Sequence, residues 1–240
     1  MPDWLSMRYL EKYAIKLGIS LTTLQLEQFA QYQSLLLEWN QRINLTGAQS
    51  PREIQTRHFA DSLTCALVTG DLSDKSLIDV GSGAGFPGLP LKIFYPQMKL
   101  VLLESVEKKG IFLNEVIAVL ELEDVSVLVN RAETAGHDIA HRQQYDWAVA
   151  RAVAHLSPLL EYLLPFCRIG GYALAQKGAR ASQELQESQK ALQRLGGEVS
   201  DLVSVGVDEK SNAQLVIVEK VRETPEKYPR RAGIPVKRPL

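Results

Sequence analysis

Residues 77–88 read Leu-Ile-Asp-Val-Gly-Ser-Gly-Ala-Gly-Phe-Pro-Gly, and this stretch decides the fold class of the 240-residue chain. Its apolar start predicts a strand, its glycines at alternate positions predict a tight turn, and Pro87 suits the first turn of a helix. Because glycine tolerates positive φ and has no Cβ, a ligand can approach the main chain closely at such a turn. The stretch therefore predicts a strand–loop–helix unit with a ligand at the loop.

The glycine spacing separates two classes of nucleotide ligand. A dinucleotide fingerprint, Gly-x-Gly-x-x-Gly, has its third glycine where this chain carries Phe86, whereas here the third glycine is Gly85. The order Asp79, Gly81, Gly83 and Gly85 instead resembles the first motif of the S-adenosylmethionine-dependent methyltransferases. A carboxylate before the loop suits that ligand, which carries an amino group and no phosphate, because no charge repulsion arises. A glycine-rich turn without a ligand is the alternative, since glycine density alone is a weak signal.

Composition is that of an ordinary globular protein, with 45% hydrophobic and 23% charged residues. A net charge of -1 and a pI near 6.4 argue against nucleic-acid binding over the whole surface, but they allow a local basic patch. Cys65 and Cys167 lie far apart, without the spacing of a disulfide framework or a zinc site, so no metal is expected. No leader pattern or membrane-length apolar run occurs. The sequence predicts a cytoplasmic protein without membrane contact, and a monomer.

Helical spacing of apolar residues dominates residues 4–70, beginning at Trp4. One helix is predicted before Gly18, a second from an N-cap at Thr22, and a third from an N-cap at Ser50 to about residue 69. Residues three or four apart share one face of a helix. The third helix presents four polar residues at that spacing: Arg57, His58, Asp61 and Ser62.

Strands and helices alternate after residue 72. Seven strands are predicted, at residues 77–80, 99–104, 125–129, 145–150, 171–176, 199–207 and 215–221. Helices are predicted between them at residues 87–95, 107–120 and 179–195, and from residue 157. Alternation predicts parallel strands with right-handed crossovers, and the last two strands, with no helix between them, predict an antiparallel end. The predicted fold is α/β, with a Rossmann-like, seven-stranded, mostly parallel sheet and an N-terminal helical extension.

Three regions follow: a helical extension at 1–70, a Rossmann-like domain at 71–222 and a C-terminal tail at 223–240. Prolines every few residues in the tail oppose a regular element. Its basic residues are Lys227, Arg230, Arg231, Lys237 and Arg238. Two interpretations of the tail stay open, namely a solvated, disordered end and an arm that contacts RNA phosphates.

Polar residues follow the predicted strands where a doubly wound sheet binds its ligand, at the carboxyl ends. Glu104 ends the second strand, where it could accept hydrogen bonds from two ribose hydroxyls, and Glu133 follows the third, near the expected adenine. A solvated or helix-capping acid is the alternative for each. Arg151 ends the fourth strand. No Asn/Asp-Pro-Pro-Tyr or Pro-Cys sequence follows that strand, which argues against amine methylation and covalent catalysis.

A set of short motifs resembles one family in its order along the chain. The motifs are Asn44-Leu45-Thr46, Arg-His-Phe-Ala-Asp-Ser at 57–62, the glycine stretch at 79–88, Arg131-Ala132-Glu133, Arg151-Ala152, Lys177-Gly178, Lys-Tyr-Pro-Arg-Arg at 227–231 and Gly233-Ile234-Pro235. From about residue 35 onward they are similar to the bacterial small-subunit ribosomal RNA 7-methylguanosine methyltransferase G family, also called the glucose-inhibited division protein B family. The resemblance implies methyl transfer from S-adenosylmethionine to N7 of one guanine in 16S rRNA, free or within the small ribosomal subunit.

The resemblance also implies a cofactor site. Its residues would be Asp79, Gly81, Gly83 and Phe86 at the loop, Glu104, Ser105 and Val106 at the ribose and adenine edge, Ala132 and Glu133 at the base, and Arg151. Many members carry Asp where Glu104 stands, so the ribose contact is expected to differ in length or angle.

No general base is expected, because N7 of a purine has a free lone pair and positioning does most of the catalytic work. Arg151 and Lys177 are the candidates for positioning. Candidate RNA contacts are Asn44, Arg57, His58, Arg151, Lys177 and the basic tail; for His58 and Lys177 a structural role is an equal alternative. The rival functions are an NAD-dependent oxidoreductase and a non-catalytic RNA-binding assembly factor.

Overall fold

The computed structural model describes residues 6–151, 153–206 and 212–240. Three positions used in the predictions lie outside the described residues. They are Trp4, where the first helix was predicted to begin, Ala152 of the Arg-Ala motif, and Val207, the predicted end of the sixth strand.

In the described part of the N-terminal region, residues 6–70, there are five helices and one π-helical turn. They are α1 (Arg8–Lys16), α2 (Thr23–Asn40), α3 (Pro51–Ile54), the π turn (Gln55–Ala60), α4 (Asp61–Leu63) and α5 (Ala66–Thr69). The predicted caps are confirmed, since the side chains of Thr22 and Ser50 both accept hydrogen bonds from backbone N–H groups three residues on.

The predicted third helix is present from Pro51 to Leu63 and again over Ala66–Thr69, but it contains a π turn and is interrupted at residues 64 and 65. The segment is divided into α3, the π turn, α4 and α5, because side-chain hydroxyls compete for its backbone carbonyls. The Oγ of Ser62 donates to the carbonyl of His58 at 2.6 Å, and the Oγ1 of Thr64 donates to that of Asp61 at 2.6 Å. The π turn holds Gln55 inside the protein, where its side chain accepts hydrogen bonds from the first turn of α1.

The sheet has seven strands in the order β3-β2-β1-β4-β5-β7-β6. They are β1 (Ser76–Val80), β2 (Lys99–Glu104), β3 (Val125–Val129), β4 (Tyr145–Arg151), β5 (Cys167–Lys177), β6 (Gly197–Ser204) and β7 (Gln214–Lys220). The first five strands are parallel, and β7 pairs antiparallel with both β5 and β6. The predicted mostly parallel sheet with an antiparallel end is confirmed.

Helices cover the sheet as βα crossovers require. They are α6 (Gly88–Phe94), α7 (Glu107–Val119), α8 (Ala132–Ala135), α9 (Leu156–Leu163), α10 (Ala181–Glu187), α11 (Gln189–Leu195) and α12 (Ile234–Lys237). The polar helix predicted at 179–195 is divided at Ser188, whose Oγ donates to the carbonyl of Glu184 at 2.6 Å. In the described ranges, no helix has the length and hydropathy needed to cross a membrane.

Two hydrophobic clusters lie on opposite faces of the sheet, because successive strand residues point to opposite faces. Leu77 belongs to one cluster and Ile78 to the other. The first cluster also contains Tyr32 of α2 and Phe59 of the π turn, so the N-terminal helices share a core with the sheet. This shared core fixes the N-terminal polar residues relative to the strand ends.

The C-terminal segment, defined here as residues 224–240, packs onto the sheet region. Tyr228 is buried, Arg230 pairs with the fully buried Glu161 at 2.7 Å, and Ser157 donates to the carbonyl of Leu240 at 3.3 Å. This packing contradicts the interpretation of a solvated, disordered end, and an arm that contacts RNA phosphates stays a prediction. Separate side-chain contacts hold the segment, and such contacts produce no periodic pattern by which the sequence could have predicted the packing.

Candidate cofactor and substrate site

The glycine loop adopts a backbone that other residues rarely take. Gly81, Gly83 and Gly85 have φ values of +71°, +60° and +97°. A Cβ added at Gly85 would lie 2.4 Å from the Cδ1 of Leu89 and 2.7 Å from the hydroxyl of Tyr32. At Gly83 the nearest atom would be the carbonyl oxygen of Gly81, at 3.9 Å. Gly85 therefore serves packing, whereas Gly83 leaves open space where a ligand can approach.

Glu104, at the end of β2, binds this loop. Its Oε2 accepts a hydrogen bond from the backbone N–H of Gly83 at 2.9 Å, and its Oε1 accepts one from Val106 at 2.8 Å. The hydroxyl of Ser105 lies 3.5 Å from Oε1. A carboxylate oxygen accepts two hydrogen bonds, so Oε2 retains a lone pair for a further donor, and Oε1 gains one if the hydroxyl of Ser105 turns away. The arrangement suits a pair of ribose hydroxyls.

Asp79 supports the loop from inside the protein. It is fully buried, and its Oδ2 accepts a hydrogen bond from the N–H of Gly88 at 2.8 Å. Burial raises the pKa of Asp79 to about 7. Its Oδ1 and the Oγ of Ser82 are buried without a hydrogen-bond partner among the described residues. These two atoms can therefore form further hydrogen bonds next to the loop.

A cavity of about 200 Å³ lies at the carboxyl ends of β1, β2 and β3. Its walls are Val80, Gly81, Leu103, Ser105, Asn130, Arg131, Ala132, Glu133, Val153, Tyr162 and Val236. Apolar side chains flank it, as a flat aromatic base requires, and Ser105 brings in the polar edge beside Glu104. These residues fit the adenosine part of S-adenosylmethionine, with Gly83 open toward the rest of the molecule.

Glu133 lines this cavity, but its carboxylate is already engaged. Its Oε1 accepts a hydrogen bond from the N–H of Gly233 in the C-terminal segment, at 3.0 Å. The hydroxyl of Tyr162 also donates to it, and burial together with this carboxylate raises the pKa of Tyr162 to about 12. Sequence reasoning missed Tyr162 and Val236, because neither lies in a motif or follows a strand.

Arg151, at the end of β4, gathers several predicted residues around itself. Its guanidinium donates to the Oδ2 of Asp61 at 3.2 Å, to the carbonyl of Arg57 at 3.1 Å and to the Nδ1 of His58 at 3.1 Å. It also lies 4.8 Å from the ring centroid of Phe86. Phe86 is therefore buried beneath Arg151 and His58 rather than lining the 200 Å³ cavity.

His58 is neutral in this arrangement. Burial and the charge of Arg151 lower the pKa of His58 to about 4. Because Arg151 donates to Nδ1, the ring hydrogen is assigned to Nε2, which donates to the hydroxyl of Thr46. The ring stacks on Phe86 with centroids 4.7 Å apart. Both ring nitrogens are engaged, so His58 positions Arg151 and does not offer a free base.

The other predicted RNA contacts lie outside this group. Asn44 is exposed in the loop that carries Thr46. The side chain of Arg57 is 72% exposed and pairs with Glu53 at 3.3 Å. These two residues face solvent near the site, whereas His58 and Arg151 are held within it.

A second cavity, of about 400 Å³, lies at the ends of β4 and β5. Its walls are Asp61, Arg151, Gln176, Lys177, Gly178, Ala179, Arg180, Glu184, Ala213, Gln214 and Leu215. Arg151 lines this cavity and Val153, two residues on, lines the smaller one, so the two cavities are neighbours. The side chain of Lys177 is 10% exposed, donates to the carbonyl of Ala154 at 2.8 Å and pairs with Glu184 at 2.7 Å.

The two cysteines do not provide a nucleophile. Cys65 and Cys167 are fully buried, and burial raises the pKa of Cys65 well above its ordinary value and that of Cys167 to about 12. Within the described ranges, no group of three or more His, Cys, Asp or Glu side chains is placed to hold a metal ion. The site offers positioning groups rather than a thiolate.

Solved structures with similar folds include one that is described as a SAM-dependent methyltransferase. A SAM-dependent methyltransferase from Aquifex aeolicus aligns with a TM-score of 0.55 and 19% identity, over 70% of this chain and 93% of that one. The fibrillarin pre-rRNA processing protein of Methanococcus jannaschii aligns with a TM-score of 0.51 and 14% identity, over 65% and 70%. At these identities the likeness shows the fold alone.

Sequence relatives are much closer. The ribosomal RNA small subunit methyltransferase G of Roseiflexus castenholzii is 50% identical over 234 residues, 98% of this chain and 100% of the relative. The protein of the same name from Alkaliphilus metalliredigens is 44% identical, over 94% of this chain and 95% of the relative. A family model described as rRNA small subunit methyltransferase G matches residues 25–213. The chain therefore belongs to the rRNA small subunit methyltransferase G family, the S-adenosylmethionine-dependent methyltransferases that its motifs indicated.

Proposed function

We propose that this protein transfers the methyl group of S-adenosylmethionine to N7 of one guanine in 16S rRNA, by direct displacement. The observation that carries the proposal is the engagement of the titratable groups around the two cavities. His58, Asp61 and Lys177 all have charged or hydrogen-bonded partners, and both cysteines are buried. A purine N7 has a free lone pair and needs no base, so a site that only positions its substrates suits this atom.

The cofactor is assigned to the 200 Å³ cavity and the glycine loop. The carboxylate of Glu104 would accept hydrogen bonds from the ribose hydroxyls, and Ala132, a wall of the cavity, would lie beside the adenine. When bound, S-adenosylmethionine supplies a methyl group on a positively charged sulfur. The N7 lone pair would form the new bond to that methyl group, the electrons of the C–S bond would stay on sulfur, and the positive charge would pass to the purine.

The guanine is assigned to the 400 Å³ cavity, beside Arg151 and Asp61. Guanine presents an acceptor at O6 and donors at its amino group. Arg151 can donate to the acceptor and Asp61 can accept from the donors, while their mutual ion pair keeps both groups in place. A base enters such a cavity only when it is unpaired or flipped out of its helix.

The RNA strand is assigned to the surface around that cavity. Asn44, Arg57 and Arg180 are exposed there and can contact the phosphate and sugar backbone. The protein would act as a monomer, on 16S rRNA in the small ribosomal subunit or its precursors in the cytoplasm.

Methyl transfer from labelled S-adenosylmethionine to small ribosomal subunits tests the proposal. Subunits from a strain without this activity are the substrate, and subunits that already carry the methyl group are the control. Chain cleavage at 7-methylguanine locates the label. One labelled guanine in the first sample, and none in the control, is expected. Binding of the cofactor without transfer to either sample would contradict the assignment of guanine N7.

A further inference from the structure

The C-terminal segment closes one side of the 200 Å³ cavity. Val236 of α12 is one of the cavity walls, although its side chain is more than half exposed to solvent. It faces residues from the ends of β1, β2 and β3 across the cavity. The cavity therefore combines strand ends from the middle of the chain with its last few residues.

Three sets of contacts hold the segment in place. The first is at the cavity itself, where the carboxylate of Glu133 accepts the N–H of Gly233 at 3.0 Å. This residue thus joins the cavity wall after β3 to the turn that precedes α12. Glu133 is buried and Gly233 is half-buried, so the hydrogen bond is partly shielded from water.

The second set lies away from the cavity, around Arg142. Its guanidinium donates to the carbonyls of Thr224 at 2.6 Å, Tyr228 at 2.8 Å and Gly136 at 2.7 Å. Gly136 is needed there, because an added Cβ would lie 2.9 Å from the Cγ of Pro229. One arginine thus ties two turns of the segment to the helix that follows β3.

The third set is the pair of Arg230 and Glu161. The guanidinium donates from Nε and Nη2 to both oxygens of a carboxylate that has no solvent exposure, at 2.9 and 2.7 Å. The backbone N–H of Arg230 also donates to Glu161, at 2.7 Å. A buried carboxylate with three hydrogen bonds fixes the position of this residue and of the turn that follows.

We infer that the C-terminal segment is an integral wall of the cofactor cavity, and that Glu133 is a positioning residue that holds this wall and does not itself read the base. The inference rests on the proposed placement of the cofactor. Because the ligand would contact a wall whose position depends on these three sets of contacts, cofactor binding and docking of the segment are coupled, and each strengthens the other.

Arg142→Ala tests the coupling at a distance from the cavity. The control is Arg168→Ala, since Arg168 lies at the start of β5 and pairs with Asp146 of β4. Calorimetry gives the affinity for S-adenosylhomocysteine, and trypsin cleavage after Arg231 gives the docking of the segment. We expect Arg142→Ala to weaken binding roughly fivefold or more and to speed cleavage. In the wild type and the control, the ligand slows cleavage.

A chain that ends at Arg231 shows whether the segment completes the cofactor cavity, as a wall, or blocks it, as a plug. Loss of the wall weakens S-adenosylhomocysteine binding, whereas removal of a plug would strengthen it and overturn the inference. Val236→Ala, which removes two methyl groups from an exposed side chain, gives the same comparison in a variant whose folding is not at risk. Wild-type affinity in all three variants also overturns the inference but leaves the proposed function intact. Failure of the wild type to bind would refute the cofactor placement and the inference together.

Discussion

Alanine at Gly83 is expected to weaken cofactor binding more than stability, whereas alanine at Gly85 is expected to lower stability more than binding. An L-residue with positive φ costs about 1–2 kcal/mol, which both variants incur. In Gly83→Ala the new Cβ meets nothing closer than 3.9 Å, so the loss in the free energy of unfolding stays near that value. In Gly85→Ala the Cβ lies 2.4 Å from Leu89, and overpacking adds about 1–3 kcal/mol.

Binding of S-adenosylhomocysteine should show the reverse order. The methyl group of Gly83→Ala occupies the space that we assign to the ligand, and a steric cost of about 1–3 kcal/mol corresponds to roughly 5- to 150-fold weaker binding. Gly85→Ala changes a surface buried against Leu89 and Tyr32, so the fraction that remains folded should bind nearly as the wild type does.

Urea unfolding and calorimetric titration of the two variants measure both quantities. Gly47→Ala is the control, because its Cβ would have no neighbour within 4 Å and its backbone is unstrained, so neither quantity should change. Wild-type affinity in a folded Gly83→Ala variant would refute the assignment of this space to the cofactor.

Three further variants test other parts of the site. Burial raises the pKa of Asp79 to about 7, so the folded state holds a proton that the unfolded chain releases. The free energy of unfolding in urea should therefore fall as pH rises from about 4 to 7. In Asp79→Asn this fall with pH should be absent. Arg151→Lys, which loses the planar fork, should cut methyl transfer about tenfold or more with little change in S-adenosylhomocysteine affinity; an equal loss of both would move Arg151 into the cofactor site. Arg230→Ala leaves the buried carboxylate of Glu161 without its partner and should lower the free energy of unfolding in urea by about 3–5 kcal/mol. Arg231→Ala changes an exposed residue and should lower it by under about 0.5 kcal/mol. Equal losses in the two variants would contradict this account.

The sheet could be predicted because its signals are local. Strands β2 and β3 have the predicted bounds, since each is a short apolar run between polar residues. The π turn could not be predicted, because one extra residue in a helical turn leaves the spacing of apolar residues almost unchanged. The competing hydroxyl of Ser62 is visible in the sequence, but its effect depends on which carbonyl it reaches.

The site was predictable where a residue follows a strand or lies in the glycine loop. Glu104 is such a residue, and it contacts the loop through Gly83. The position of Phe86 could not be predicted, because it depends on Arg151, which is far along the chain. The engagement of Glu133 by Gly233 joins residues 100 positions apart, and no local pattern carries that information.

The position of the C-terminal segment has a consequence for synthesis of the protein. A ribosome releases this segment after strand β7, which ends at Lys220. A nascent chain can therefore form the sheet and the glycine loop while one side of the small cavity is still open. A purification tag fused after Leu240 would begin where the backbone carbonyl accepts the hydroxyl of Ser157. A tag at the N-terminus avoids that contact.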